Sequence, residues 1–320
     1  MSAAHVETAP AATAEAATSE PRAAKGGSAT KTPSVARDLW SMCKPGIVRM
    51  AVITTAGGLW LAPATEDAAK TPALIIAALL GSALAVCSAN VFNMVLERES
   101  DQLMPRTKRR PVAAGRISVG TAVRFASLLG VLSLAVLGLW VNLLTAGLAA
   151  FAIFSYVLIY TPLKFRTPAA LVVGAVPGAV PPLLGWTAVR DQVDVAGLVL
   201  FGILTVWQIP HFIAIALYRK EEYRRAGIKV ITAERGDLLA KLHASLWAVA
   251  LIPISMALTP LGVAGPGYFV AAFVLGLAYF VYGLTGLRAG ADNRWARKYF
   301  FASLIYLPAL TLALVLDVLL

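Results

Sequence analysis

The stretch NMVLERESDQLMPRTKRRPVAAG, residues 93–115, decides how this chain is read. It closes an apolar run and then places Glu97, Glu99 and Asp101 within five residues. Six bases fall between Arg98 and Arg116. Upstream, residues 73–96 contain no Lys, Arg, Asp or Glu. At a helical rise of about 1.5 Å per residue, that run is long enough to cross a hydrocarbon core of roughly 30 Å. The stretch therefore marks a membrane edge, where a buried helix meets water.

The same pattern recurs in both directions. Residues 167–189 and 195–218 are two more uncharged runs, and residues 242–287 form a third of 46 residues. That longest run is interrupted by TPLGVAGPG at 259–267, so it reads as two spans and a tight connection. Residues 125–163 need a turn, best placed at Trp140-Val141-Asn142. With 46–61 and 299–316 the total is nine spans. Hydrophobic residues make up 58% of the chain and charged residues 14%, which excludes an ordinary soluble domain. Lipid offers no partner to a free amide, so the spans must be helices. The expected fold class is all-α: a polytopic integral membrane protein with nine transmembrane helices in one bundle around a central cavity.

Charge orients the bundle. The loops at 97–117, 162–168, 218–241 and 287–298 carry six, two, seven and four Lys/Arg, whereas the opposite connections carry only Lys70 and Arg190. The basic side is the cytoplasmic one, which puts the N-terminus in the cytoplasm. This asymmetry accounts for most of the +11 net charge without any nucleic acid partner. Residues 1–36 are rich in Ala, Thr, Ser and Glu, with no apolar leader core, and read as a disordered cytoplasmic tail before a domain at 37–320. Cys43 and Cys87 have neither disulfide nor metal spacing.

Two acidic helix ends carry the chemistry. Asn93, Glu97 and Asp101, four residues apart, share one helical stripe. Oxygen donors so arranged suit Mg²⁺, which takes one or two carboxylates and completes its shell with water and substrate phosphate. Arg106, Lys108, Arg109 and Arg110 follow and suit the phosphate itself. A salt-bridged helix cap would use the same residues. The run WQIPHFIAIALYRKEEYRRAG, 207–227, also ends in acids, Glu221 and Glu222. His211, Tyr218 and Glu222 fall on one face of a continuous helix, with His211 about 16 Å along the axis from Glu222. Two such ends on one membrane face can grip a diphosphate through Mg²⁺, although acids within helices also occur in transporters.

Asn93, Glu97, Asp101, Met104, Arg106, Thr107, Arg110 and Gly115 together resemble the signature of the intramembrane (UbiA-type) prenyltransferase superfamily. Glu97 stands where Asp is commoner, and Ser100 where an aliphatic residue is usual. KPGIVRM (44–50), YTPLKFRTP (160–168), GAVPGAVPPLLGW (174–186), WQIPHF (207–212) and EEYRRAGIKV (221–230) are similar to the branch whose acceptor is heme, which usually has Asp in place of Glu222. The resemblance implies transfer of the farnesyl group of farnesyl diphosphate to a vinyl group of heme b, giving heme O and diphosphate. Heme b is then a substrate, Mg²⁺ the cofactor, and a heme A synthase or terminal-oxidase assembly proteins the partners. The expected place is a bacterial inner membrane, with an organellar membrane as the alternative, and the charge asymmetry turns the active site to the cytoplasm.

On this reading Asn93, Glu97, Asp101 and Glu222 are catalytic, with Glu97, Asp101 and Glu222 binding the metal. Lys44, Arg106, Arg110, Lys164, Arg166, His211 and Tyr218 bind substrate. His211 either flanks or ligates the heme iron, or hydrogen-bonds a neighbouring helix. Gln208 and Asn90 are expected to bond between helices. Gly174, Gly178 and Gly185 should permit close helix approach, and Trp60, Trp140 and Trp186 should form an aromatic belt. Pro162 is expected to stop its span. The competing functions are prenylation of an aromatic quinone precursor and membrane transport.

Overall fold

A computed structural model describes residues 34–64, 70–288 and 290–319; among them every regular element is helical. In chain order these are α1 (Val35–Met42), α2 (Pro45–Leu61), α3 (Pro72–Leu96), α4 (Arg98–Gln102), α5 (Val119–Trp140) and α6 (Leu143–Phe154). A π-helical turn, Ser155–Tyr160, leads into α7 (Thr161–Leu163). Then come α8 (Ala170–Arg190), α9 (Val195–Tyr218), α10 (Lys220–Arg225), α11 (Ile231–Glu234), α12 (Asp237–Met256), α13 (Pro266–Leu284) and α14 (Asn293–Leu319). The expected tail lies outside the described residues as far as 33, and helix already begins at Val35.

Among the described residues eight segments are long and apolar enough to cross a membrane: α3, α5, Leu143–Leu163, α8, α9, α12, Pro266–Leu287 and α14. The chain is an integral membrane protein. The remaining expected span is α2, apolar and 17 residues long. The turn at Trp140–Asn142 stands as read: α5 ends at Trp140, and Asn142 caps α6 by accepting from the Thr145 amide at 2.7 Å. Thr71, Ser118 and Asp194 cap α3, α5 and α9 in the same way.

The span stops at Leu163, one residue past Pro162, as expected. Just before the proline the turn widens to π spacing, and the Thr161 amide reaches back to the Tyr156 carbonyl. Thr161 Oγ1 donates to the same carbonyl at 2.8 Å. That wide turn absorbs the hydrogen bond a proline cannot make.

Consecutive spans pack on one another, while α8 lies against α2, α6 and α9, and α14 returns to α9. The most deeply buried span is α8, with Pro177, Pro181 and Pro182 inside it. Its glycines permit the expected close approaches. A Cβ on Gly174 would overlap the Tyr160 ring, one on Gly178 the Gln208 side chain, and one on Gly185 the Thr55 carbonyl. Gly58 on α2 is reciprocal, facing the Pro182 carbonyl. Hydroxyls and amides tie spans together: Ser133 donates to Gly81 O at 2.7 Å, Ser88 to Ala126 O at 2.8 Å, and Gln208 to Ala175 O at 3.2 Å. An apolar pocket of about 110 Å³, partly open to the outside of the bundle, lies among Ile53, Gly58, Pro182, Leu204 and Leu310.

Trp60 and Trp140 are exposed, as belt residues should be, but Trp186 is only 2% exposed. Its ring lies against Gly197 of α9, because the end of the central helix is covered by protein rather than lipid.

The N-terminus of α13 follows Gly265, which has no side chain to cap it. Asp317 of α14 does so instead, accepting from the amides of Gly265 and of Tyr268, the latter at 3.0 Å. Asp317→Ala should therefore cost about 1–2 kcal/mol, read as a lowered thermal midpoint in detergent, while Asp317→Asn retains much of the cap.

Candidate active site

The first acidic end survives a bend. α3 stops at Leu96 and α4 starts at Arg98, but the Glu97 amide still bonds Asn93 O at 2.9 Å and the Asp101 amide bonds Glu97 O at 2.8 Å. The four-residue stripe is therefore intact, and Asn93, Glu97 and Asp101 are all buried. Each is met by a polar partner. Asp101 receives both its oxygens' bonds from Arg110 Nη1, at 2.9 and 2.8 Å. Glu97 pairs with Lys164, with the Asn93 amide and, at 3.4 Å, with Arg110. Asn93 donates to Thr161 Oγ1 at 3.1 Å and accepts from Lys44 Nζ at 3.0 Å.

Two carboxylates thus face three cations. Burial pushes the Glu97 pKa up, but Lys164 and Lys44 outweigh it and hold the group below the usual range. At Asp101 burial wins over Arg110 and the pKa is raised. Lys44 is lowered to about 8, chiefly by burial and against the pull of Glu97. Its backbone is left-handed, φ 54 and ψ 69, an uncommon conformation for a side-chain-bearing residue, and from there Nζ reaches Asn93.

The loop after α4 is folded back on this cluster. Thr107 Oγ1 donates to Asp101 O at 2.9 Å, Met104 is 3% exposed, and Gly115 has φ +73. These signature residues have architectural roles. Arg116 fastens the loop to α1 through two bonds to Asp38, at 2.8 and 2.9 Å. Arg106 and Arg166 remain exposed.

The loop that follows the second acidic end reaches the residue that pairs with Glu97. The Lys229 amide, just beyond α10, donates to the Lys164 carbonyl at 2.8 Å, and Lys164 holds Glu97. Burial raises the Tyr223 pKa while Arg106, from the first loop, opposes it. Glu222 pairs with Arg219 at 2.9 Å through Oε1, and its Oε2 is buried without a hydrogen-bond partner. The helix is not continuous here: α9 ends at Tyr218 and α10 starts at Lys220, so the straight-helix separation of about 16 Å between His211 and Glu222 does not carry across Arg219.

His211 and Tyr218 do not join the acidic cluster. His211 Nδ1 meets Ser303 Oγ of α14 at 2.7 Å, and Phe300 lies 4.8 Å from its ring centroid. Tyr218 faces Arg219 and Arg297, whose guanidinium carbons lie 5.4 and 5.7 Å from its ring centroid. Asn90 donates to Cys43 O at 3.0 Å, an inter-helix bond as expected. Thr161, Tyr156, Tyr223 and Ser303 were not among the residues singled out from the sequence. The π turn beside YTPLK is the one local sign that 155–160 is special.

Among the described residues no group of three or more His, Cys, Asp or Glu stands close enough to hold a metal ion alone. The oxygens are of the kind Mg²⁺ takes: the Glu97 and Asp101 carboxylates stand in one cluster, and Glu222 Oε2 is buried without a hydrogen-bond partner.

The sequence model of the UbiA prenyltransferase family matches residues 51–305. The protoheme IX farnesyltransferase of Myxococcus xanthus is 48% identical over 289 residues, covering 90% of this chain and 97% of that one. That of Sorangium cellulosum is 49% identical over 278 residues, covering 83% and 99%. A solved digeranylgeranylglyceryl phosphate synthase shares the fold at TM-score 0.75 and 16% identity, over 88% of this chain and 98% of the other. A UbiA homolog from Archaeoglobus fulgidus bound to GPP and Mg²⁺ superposes at TM-score 0.60 and 16% identity, over 87% and 99%. By the family match, the length of chain it covers and these relatives, the chain belongs to the UbiA prenyltransferase family.

Proposed function

We propose that this enzyme transfers the farnesyl group of farnesyl diphosphate to a vinyl group of heme b, releasing diphosphate and giving heme O. The observation that carries the acceptor is the near full-length likeness to two protoheme IX farnesyltransferases. The buried acid–base cluster supports the diphosphate half. Arg110, Lys164 and Lys44 exceed the two carboxylates they face, so the cluster favours an anion. When diphosphate enters, these cations can turn to its oxygens, aided by Arg106 and Arg166, and release Glu97 and Asp101.

Glu97, Asp101 and Glu222 would hold Mg²⁺, with substrate oxygens and water completing the shell. The ion supplies positive charge against the charge that develops on the leaving diphosphate. Arg110 and Lys164 add fixed charge at the same oxygens. The apolar spans around them keep water from the allylic cation until the vinyl group attacks; water then adds to the cation formed on the heme side chain and loses a proton, which gives the hydroxyethylfarnesyl group of heme O. The nine-span count, a cytoplasmic N-terminus and a cytoplasm-facing site in a bacterial inner membrane belong to the same proposal. Product then passes to a heme A synthase or to terminal-oxidase assembly.

Purified protein given farnesyl diphosphate and Mg²⁺ with either heme b or 4-hydroxybenzoate tests the reading. Farnesylated heme is the expected product; product from the benzoate alone would replace heme by a quinone precursor.

A further inference from the structure

We propose that Ser303 is a positioning residue that fixes the tautomer of His211 and leaves Nε2 bare as the ligand for the iron of the acceptor. This rests on heme b being the acceptor. Ser303 lies on α14, 92 residues from His211 in sequence, and is completely buried. Its hydroxyl makes two hydrogen-bond contacts. One is to the Phe300 carbonyl at 2.6 Å, and the other is to His211 Nδ1 at 2.7 Å. A carbonyl oxygen accepts only, so the serine proton goes to Phe300. For the second contact also to be a hydrogen bond, Nδ1 must carry the imidazole proton and donate it to Ser303 Oγ. The lone pair is thereby left on Nε2; the hydrogen bond the ring makes among the described residues runs through Nδ1.

The ring is also held in orientation. Trp207 stacks on it with centroids 4.8 Å apart and planes 25° apart, and Phe300 lies against it at 4.8 Å. Trp207 is itself pinned, its Nε1 donating to the Ser303 carbonyl at 2.9 Å. One serine therefore anchors both the histidine and the indole that stacks on it. A ligating imidazole ordinarily donates its other nitrogen to an acceptor that sets its tautomer and raises its basicity. A neutral imidazole is also a fitting ligand for iron, and no proton has to leave when it binds. A histidine serving only to hold helices together would need Ser303 but not a free Nε2.

The test titrates ferric heme b into wild type, His211→Ala, Ser303→Ala and Ser303→Thr, recording affinity and the Soret band, with farnesyl transfer assayed separately. Wild type should give an imidazole-ligated spectrum and His211→Ala should lose it. Ser303→Ala should weaken heme binding about 10-fold, and Ser303→Thr, which keeps the hydroxyl, should recover it. A wild-type spectrum and affinity in either alanine variant would overturn the proposal, as would a threonine variant that binds as weakly as the alanine one. Ligation through His211 without farnesyl transfer would fail the reaction and keep this inference; transfer with a spectrum indifferent to Ser303 would do the reverse.

Discussion

Asp101→Ala should lower farnesyl transfer by about a thousandfold or more while the protein still folds. Asp101 is fully buried, and both its oxygens are engaged by Arg110. Removing a partner from a buried ion pair ordinarily costs several kcal/mol, because the other charge is stranded. Here the stranded partner is Arg110, whose side chain is 20% exposed and already lies 3.4 Å from Glu97. It has water and a second carboxylate to turn to, so the loss falls on turnover rather than on assembly. Asp101→Asn keeps the shape and removes the charge, and should be nearly as inactive. The measurements are turnover with Mg²⁺ and the thermal midpoint in detergent. Near-normal turnover in either variant would remove Asp101 from the metal set.

Gly58→Ala and Gly185→Ala should be the most damaging structural changes, each costing roughly 3 kcal/mol or more. At both positions the added Cβ overlaps a backbone carbonyl of the facing helix, which cannot rotate away as a side chain can. α2 and α8 would have to separate, and α8 lies at the centre of the bundle. Gly57→Ala, one residue from Gly58, is the control: nothing lies within 4 Å of its added Cβ. It should be neutral or slightly stabilising, since alanine is the better helix former. Folded yield and thermal midpoints of the three variants check this; equal midpoints for Gly57→Ala and Gly58→Ala would contradict the close α2–α8 contact.

Much of the fold was legible because uncharged runs of this length admit one solution in lipid. Turns at 140–142 and 259–267 could be placed from residue type alone. The first acidic stripe was legible for a similar reason: a four-residue spacing keeps Asn93, Glu97 and Asp101 on one face even where the helix bends at Glu97. Trp186 misled because its place near the end of a span says nothing about whether lipid or protein covers that end. Pro162 did mark the end of its span, but the π turn before it was not legible, because it depends on how the Tyr156 carbonyl is shared. The face shared by His211, Tyr218 and Glu222 presumed a straight helix, and Arg219 interrupts it.

By itself, the sequence determined the solvent, the helical class, the charged face and the identity of the acids and bases that gather there. Those are properties of composition and of periodicity along one helix. Only the tertiary structure decided that Lys164 neutralises Glu97 from 67 residues away, that Lys44 meets Asn93, and that Ser303 meets His211. A helical period gives the face a residue occupies, but not the neighbour that face will meet. That neighbour is set by how the helices rotate and pack, and here glycine contacts such as Gly58 on Pro182 and Gly185 on Thr55 set how closely α2 and α8 approach.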